Sequence, residues 1–528
     1  MSDSVIDRGK RRSSTESIEQ GNEKQEASVL NTEEQGKDKK EEPKKEEKST
    51  YVDKDVLEDA ELFKALQGMP FYHGFLPRED LQKILIDEGD YLIRVSEVAT
   101  KKKEGTAAIK RDIVLSLCDR GEGPETKSEG ERKMRNMVIR RYDGMFGIKA
   151  GNQFANIEAL LANYHVDNAA ETKDNRFLKT PMNLQTWEIR HSDVKLLDKL
   201  GEGAYGEVRK GSLKRKGREQ DVAVKLMKGS GDMNKVKIRE MMKEARLMRN
   251  FKHRNVVRFY GVAVLEQPLY ILLELVNGGA LNTHLQKNKN VTTMELLAMC
   301  LGAAHGLQYL HTNHCIHRDI AARNCLYSID KVVKLSDFGL SLIGTSYKLC
   351  TSQKLPIKWL APETITTLFF TPKTDVYSYG VMCYEIFAEG EEPWEGITNT
   401  EAKKNVVFGR HLQMPESCPE KLRTFIHEKL FVVDPKKRVM MEEFVQFMEP
   451  LIAEIAATCT TSTVSTVTNP PEKSERAPKE IACSTPVNAR NDSAKVAKSK
   501  ARKKLERTKK EKKKKRTSHP GNHNMIEK

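Results

Sequence analysis

Nowhere in this 528-residue chain do 18 apolar residues run together, so a membrane-spanning helix is not expected. The N-terminus, Met1-Ser2-Asp3-Ser4, offers no glycine for myristoylation and no apolar core of a secretory signal. Cysteine is sparse. The nine present are scattered without C-x-x-C spacing, and their number is odd. That argues against a disulfide scaffold or a zinc cluster and fits a reducing cytoplasm. Aromatic residues are almost missing from the first 60 positions, where Glu, Lys, Ser and Gln predominate. Such a stretch cannot bury enough apolar surface to fold alone. Residues 1–60 therefore read as a disordered charged segment, with a short helix at Asp55 to Leu66 leading into the first domain.

Positive charge is present but unevenly placed. The net charge is +15, and fourteen Lys or Arg against two Glu between Lys495 and Arg516 supply +12 of it, leaving +3 for the rest. Basicity is thus a property of the tail. Beyond Ala456, Thr/Ser/Pro-rich sequence gives way to that Lys-rich run without a hydrophobic period, so residues 456–528 read as disordered. The tail also lacks aromatics, so no specific nucleic-acid reader is expected. An anionic membrane surface, nuclear import and a purely solubilising role remain open for it.

Between the tails the pattern becomes globular. Within 71–180, Asp90 to Ser96, Asp112 to Leu117 and Met137 to Ile139 read as strands. Leu81 to Ile86 and Asn156 to Tyr164 read as flanking helices, and Thr100 to Arg111 and Arg120 to Arg135 as long loops. The segment 193–455 opens with strands and then turns helical. The expected class is α+β with two domains.

The second segment carries an ordered series of motifs. Gly201-Glu202-Gly203-Ala204-Tyr205-Gly206-Glu207-Val208 is a G-x-G-x-x-G-x-V turn, in which glycines let the backbone close over phosphates. Val222-Ala223-Val224-Lys225 follows, and then a helical stretch, Lys235 to Asn250, containing Glu244. His317-Arg318-Asp319 precedes Asn324, Asp337-Phe338-Gly339 lies eighteen residues beyond Asp319, and Ala361-Pro362-Glu363 comes after it. One of these motifs alone is weak, but all of them in order at compatible spacing are not accidental.

Together they resemble the eukaryotic protein kinases over about half the chain. The resemblance implies a bilobal fold that uses ATP with magnesium, or manganese. It implies that Gly201, Glu202, Gly203, Ala204, Gly206, Val208 and Ala223 surround the nucleotide, with backbone contacts to adenine from Glu274 and Val276 beside a gatekeeper Leu273. Lys225, paired with Glu244, would hold the phosphates, and Asn324 and Asp337 the metal. Asp319 would accept the proton of the substrate hydroxyl, and Arg438 would pair with Glu363. The rival reading is a catalytically weak or inactive kinase that acts as a phosphotyrosine-binding scaffold. A nucleic-acid-binding protein, resting on the tail alone, is a more distant one.

Three features choose the hydroxyl. Ala321 stands where serine/threonine kinases usually carry Lys, Arg323 stands four residues after Asp319, and Pro356 precedes the Ala361-Pro362-Glu363 triplet. These resemble a non-specific protein-tyrosine kinase acting on tyrosine in protein substrates. By the same resemblance Tyr347, nine residues before Pro356, is the autophosphorylation site, and Arg318 is the cation that its phosphate would meet.

Phe71-Tyr72-His73-Gly74, Arg78 and Tyr91-Leu92-Ile93-Arg94-Val95-Ser96 resemble a Src homology 2 (SH2) domain, a central antiparallel sheet flanked by two helices. An unpaired Arg inside an apolar strand would be costly, which points to a buried anion site at Arg94, completed by Arg78 and Ser96. Partners carrying phosphotyrosine are implied. Asn136 stands where such domains usually place a His. The connector Trp187-Glu188-Ile189-Arg190-His191-Ser192-Asp193 is similar to the joint of the Fes/Fer non-receptor tyrosine kinases, here without their long N-terminal membrane-bending (F-BAR) region. That family implies an SH2 domain that docks on the Glu244 helix, while recruitment of a cytoplasmic enzyme to the inner face of the plasma membrane is an expectation that rests on the Lys-rich tail.

Overall fold

The computed structural model describes residues 54–101, 107–119, 132–149, 151–165, 177–203, 206–227, 235–349 and 355–464. Residues 1–53, Lys102, Lys103, Ala204 and the Lys-rich run lie outside them. Residues up to Pro450 form one unit and Leu451 onward a second.

The first helix, α1 (Lys54–Gly68), begins inside the charged N-terminal segment and includes the stretch read as helical. The chain then enters a five-stranded sheet made of β1 (Asp90–Lys101), β2 (Ala107–Asp119), β3 (Lys133–Tyr142), β4 (Met145–Gly147) and β5 (Thr180–Pro181), in the order β4-β3-β2-β1-β5. Neighbours are antiparallel except for β5, which runs parallel to β1. Tyr91 to Val95 are buried without alternation, as expected of a strand covered on both faces. Helix α2 (Ile157–Tyr164) follows β4, and Asn156 caps it by accepting from the Ala159 N–H.

Three local expectations change. The helix placed at Leu81 to Ile86 is a 3-10 turn at Arg78–Lys83. Pro77 starts it, and the Asp90 carboxylate ends it by accepting from the Ile86 and Asp87 N–H groups at 2.9 and 2.8 Å. The long loop placed at Thr100 to Arg111 is mostly strand, because β1 and β2 stay paired out to Lys101 opposite Ala107. The helix Met441–Val464 continues through 456–464, a stretch read as disordered tail.

A second five-stranded sheet, ordered β6-β7-β8-β10-β9, is built from β6 (Val194–Gly203), β7 (Gly206–Arg215), β8 (Arg218–Met227), β9 (Phe259–Ala263) and β10 (Tyr270–Glu274). Helix α3 (Lys235–Met248) lies between β8 and β9 in sequence. It buries Ile238, Met241, Met242 and Ala245, which join Leu66 of α1 and Phe75, Leu76 and Leu81 of the first domain in one apolar cluster. A helical lobe follows, with α4 (Leu281–Lys287), α5 (Thr293–Thr312), α6 (Pro362–Thr367) and α7 (Pro372–Phe387) around the central loops.

The connector between the sheets is tied down on both sides. His73, fully buried, places Nδ1 at 2.9 Å from the Glu188 carboxylate and Nε2 at 2.8 Å from the Met182 carbonyl. The Ile189 N–H donates to the Val262 carbonyl at 2.8 Å, and the Val262 N–H donates to the Trp187 carbonyl at 2.9 Å. Gly261 permits this close approach, since a Cβ there would lie 2.5 Å from the Trp187 carbonyl oxygen.

Candidate active site

The site begins where strand register fixes its first cation. Lys225 on β8 lies opposite Val208 on β7 and Ile271 on β10, so its side chain emerges beneath the glycine turn. In that turn Gly201, Glu202 and Gly203 pair with Val208, Glu207 and Gly206. Gly206 takes φ +143°, a conformation that favours glycine. The Glu202 carboxylate is held by Lys199 at 2.5 Å. Ala223 faces Leu273 across the sheet, Glu274 accepts the Arg258 N–H at 3.1 Å, and Val276 is buried just beyond β10.

Lys225 Nζ lies 2.9 and 3.0 Å from the two Glu244 carboxylate oxygens and 3.7 Å from Asp337 Oδ1. Burial pushes the Glu244 carboxyl up, and Lys225 pulls it back down. The motif series thus brings three separated charges together on strand, helix and loop. Asp337 adopts φ +59°, while Phe338 is buried with its ring 5.1 Å from His317 and 5.7 Å from Phe251. That packing turns the neighbouring Asp337 toward Lys225.

The loop around Asp319 is braced from below. Asp375 on α7 is buried and accepts the His317 and Arg318 N–H groups at 2.7 and 2.9 Å. Arg318 sits at φ +70°, an uncommon conformation for a side-chain-bearing residue, and these two bonds hold it there. Asn324 donates from Nδ2 to the Asp319 carbonyl at 2.8 Å, which leaves its Oδ1 as the amide's acceptor. The Ser336 N–H and hydroxyl both donate to the Asn324 carbonyl at 2.8 Å, joining the Asp319 loop to the Asp337 segment.

Arg323 makes a close ion pair with the Asp319 carboxylate, and its guanidinium lies 4.2 Å above the Trp359 ring. Its Nη1 is buried without a hydrogen-bond partner among the described residues. Glu385 on α7 supports both neighbours, accepting from the Ala322 N–H at 2.8 Å and from Trp359 Nε1 at 3.0 Å. Burial pushes its carboxyl up to about 7 against these donors and Arg323. Asp375, Trp359 and Glu385 are supports that the motif reading did not single out. The signal for Asp375 and Glu385 is an acidic side chain within the largely buried α7, whereas Trp359 lies in the short turn Ile357–Trp359.

Beyond Asp337, the strand Tyr347–Lys348 pairs with Phe369–Phe370. The Arg318 guanidinium lies 4.8 Å from the Tyr347 ring and 4.3 Å from that of Phe370. Pro356 precedes the turn Ile357–Trp359. Glu363 and the buried Arg438 form a two-point pair at 2.6 and 3.0 Å.

In the first domain, Arg94 on β1 is 5 % exposed, yet its hydrogen-bond partners among the described residues are neutral. Nε donates to Ser116 Oγ at 3.0 Å and Nη2 to Asn136 Oδ1 at 2.9 Å. The Ser116 hydroxyl donates to the same Asn136 oxygen at 2.8 Å. Arg78 and Ser96 line a cavity with Arg94. Burial, then the nearby Arg78 charge, lowers the Arg94 guanidinium to about 10.

Residues 194–448 match the family described as protein tyrosine and serine/threonine kinase. The chain is 35 % identical over 394 residues to Fer-related kinase 1 of Caenorhabditis elegans, covering 74 % of this chain and 96 % of that one. This chain belongs to the Fer/Fes tyrosine kinases. It is also 34 % identical over 385 residues to the human Tyrosine-protein kinase Fer, covering 72 % of this chain and 43 % of that longer protein. The Tyrosine-protein kinase transforming protein Fps of avian sarcoma virus (strain PRCII) is 31 % identical over 383 residues, 72 % and 67 % of the two chains. As a member of this family the chain is a protein-tyrosine kinase acting on protein substrates. Its sheet lobe and helical lobe fit the bilobal kinase fold.

Proposed function

We propose that this tyrosine kinase uses ATP with magnesium at the Lys225–Asp319–Asp337 cleft, and that residues 71–180 are an SH2 domain that brings it to phosphotyrosine-bearing proteins. The observation that carries the catalytic reading is the Lys225–Glu244 pair at 2.9 Å with Asp337 beside it. A kinase reduced to scaffolding has no need for that alignment.

Asp319 receives the phenolic proton of the substrate tyrosine, and Arg323 holds its carboxylate in a fixed direction. The unused Arg323 Nη1 donor is suited to the attacking oxygen or the substrate ring. Lys225 places its ammonium on the ATP phosphates, and Glu244 keeps that ammonium from swinging away. The oxygen donors of Asn324 and Asp337 fit a hard cation that takes one or two protein ligands plus phosphate and water. Magnesium held there would neutralise charge on the transferring phosphoryl group.

Buried Arg94, oriented by neutral oxygens, supports the phosphotyrosine reading. A guanidinium without a carboxylate partner keeps its attraction for a phosphate. Titration of the full chain with a phosphotyrosine peptide tests it. Wild type is expected to bind, and Arg94→Ala to lose at least about 10-fold in affinity. Equal binding by the two would remove the phosphotyrosine reading of the first domain.

A further inference from the structure

The cavity at Arg94 is not closed by the first domain alone. Its volume is ≈ 120 Å³, and its lining includes Arg78, Arg94 and Ser96 from one side and Lys235, Ile238 and Arg239 of α3 from the other. Helix α3 is the element that carries Glu244. Four cations therefore face one small space. The nearby carboxylate, Glu79, is engaged with Arg239, whose Nε lies 3.2 Å from Glu79 Oε1. Lys235 has no acidic partner among the described residues. Ile238 is buried beneath the pair, so the wall from α3 has an apolar base and a cationic rim.

We propose that the phosphotyrosine site is bipartite: a ligand whose phosphate meets Arg94 is contacted from the kinase side by Lys235 and Arg239. This rests on the phosphotyrosine reading of Arg94 and extends it to residues outside the first domain. A phosphotyrosine side chain brings a charge of about −1.5 to −2 to the excess of cations there. These cations repel one another, and a bound phosphate relieves that repulsion. The ligand then bridges the first domain to the N-terminal end of α3. Glu244 lies nine residues further along, roughly 13 Å on the same rigid helix.

The test uses the dephosphorylated full chain and a fluorescent phosphotyrosine peptide of sequence 343–349, followed by polarisation at low salt. Lys235→Glu reverses an exposed charge and leaves the buried Ile238 and Glu244 alone. It is expected to weaken binding about 5- to 10-fold. Glu79→Gln removes the carboxylate that competes for Arg239, and is expected to keep or tighten binding. Arg94→Ala is expected to abolish it. If Lys235→Glu binds like wild type while Arg94→Ala does not bind, the α3 wall takes no part and the phosphotyrosine reading stands. If Glu79→Gln weakens binding as much as Lys235→Glu does, the helix acts only through docking and the direct contact is refuted. If Arg94→Ala binds like wild type, the underlying reading fails with it.

Discussion

Arg94 Nη2 donates to Asn136 Oδ1 at 2.9 Å, so a neutral oxygen orients the buried guanidinium without cancelling its charge. The identity of residue 136 then decides what the pocket can bind. Asn136→Asp has nearly the same shape but supplies a carboxylate counter-ion in place. It is expected to leave the melting temperature equal or higher and to weaken phosphotyrosine-peptide binding by at least about 10-fold. Calorimetry of binding together with a thermal melt checks both parts. Unchanged affinity in a folded Asn136→Asp protein would mean that Arg94 is not the anion's partner.

Asp80 joins the first domain to the kinase helix. It is 1 % exposed and accepts from Arg249 at 2.9 Å and from Arg246 in a shorter contact. Arg249 also lies 4.1 Å from the Trp187 ring of the connector. Burial raises the Asp80 carboxyl, and the two guanidinium groups oppose that rise. Asp80→Ala leaves two arginines beside an apolar surface. Breaking such a buried pair costs about 3–5 kcal/mol. A lower melting temperature and a fall in basal kcat/KM of about 10-fold are expected. Peptide-phosphorylation kinetics on the full chain measure the second effect, and unchanged kinetics would separate docking from α3 position.

Glu385 gives a pH signature. Its carboxyl moves from an ordinary value of 4.5 up to about 7, with burial as the largest cause. Between those values the folded protein binds the proton more tightly than the unfolded chain. The stability that this group contributes is therefore full below about pH 4.5 and lost as pH rises through about 7. The size is about 3 kcal/mol. Glu385→Gln removes this dependence, so the variant gains on wild type as pH rises from 5 to 8. Denaturant melts at the two pH values check it. A constant difference between the proteins would show that Glu385 does not titrate in this range.

Much of the kinase site was legible because its chemistry demands particular residues at fixed spacing. Gly201 to Val208, Lys225, Asp319, Asn324 and Asp337 announce themselves without any knowledge of the fold. Their brackets do not. Asp375 and Glu385 lie fifty or more residues beyond the loop that they hold, and only α7 brings them back beneath it. The helix expected at Leu81 was misplaced because hydrophobic period located it. Pro77 and the Asp90 side chain set its real limits. The Thr100 to Arg111 stretch looked like loop because of its Lys and Gly content, yet cross-strand pairing overrides that local composition. Lys235 and Arg239 fall in the stretch read simply as helical, Lys235 to Asn250. Their place at the Arg94 cavity is a product of docking and has no local signal.

Arg438 is almost fully buried, and its two-point pair with Glu363 fastens the start of α6. Arg438→Ala strands the Glu363 carboxylate and the Val432 and Lys373 carbonyls that the guanidinium also serves. A loss of about 3–5 kcal/mol is expected, read as a lower denaturant midpoint. An unchanged midpoint would mean that the pair is not a structural anchor.

Asp319 is the proposed proton acceptor in transfer of phosphate from ATP to tyrosine. Purified full-length protein, magnesium, ATP and a tyrosine-containing peptide are sufficient to test it. Wild type is predicted to form phosphotyrosine with no phosphoserine or phosphothreonine. Asp319→Asn keeps the shape of the loop but cannot take the proton, and is predicted to lose at least about 100-fold in kcat with its melting temperature preserved. Equal rates of tyrosine phosphorylation by the two proteins would mean that Asp319 is not the proton acceptor.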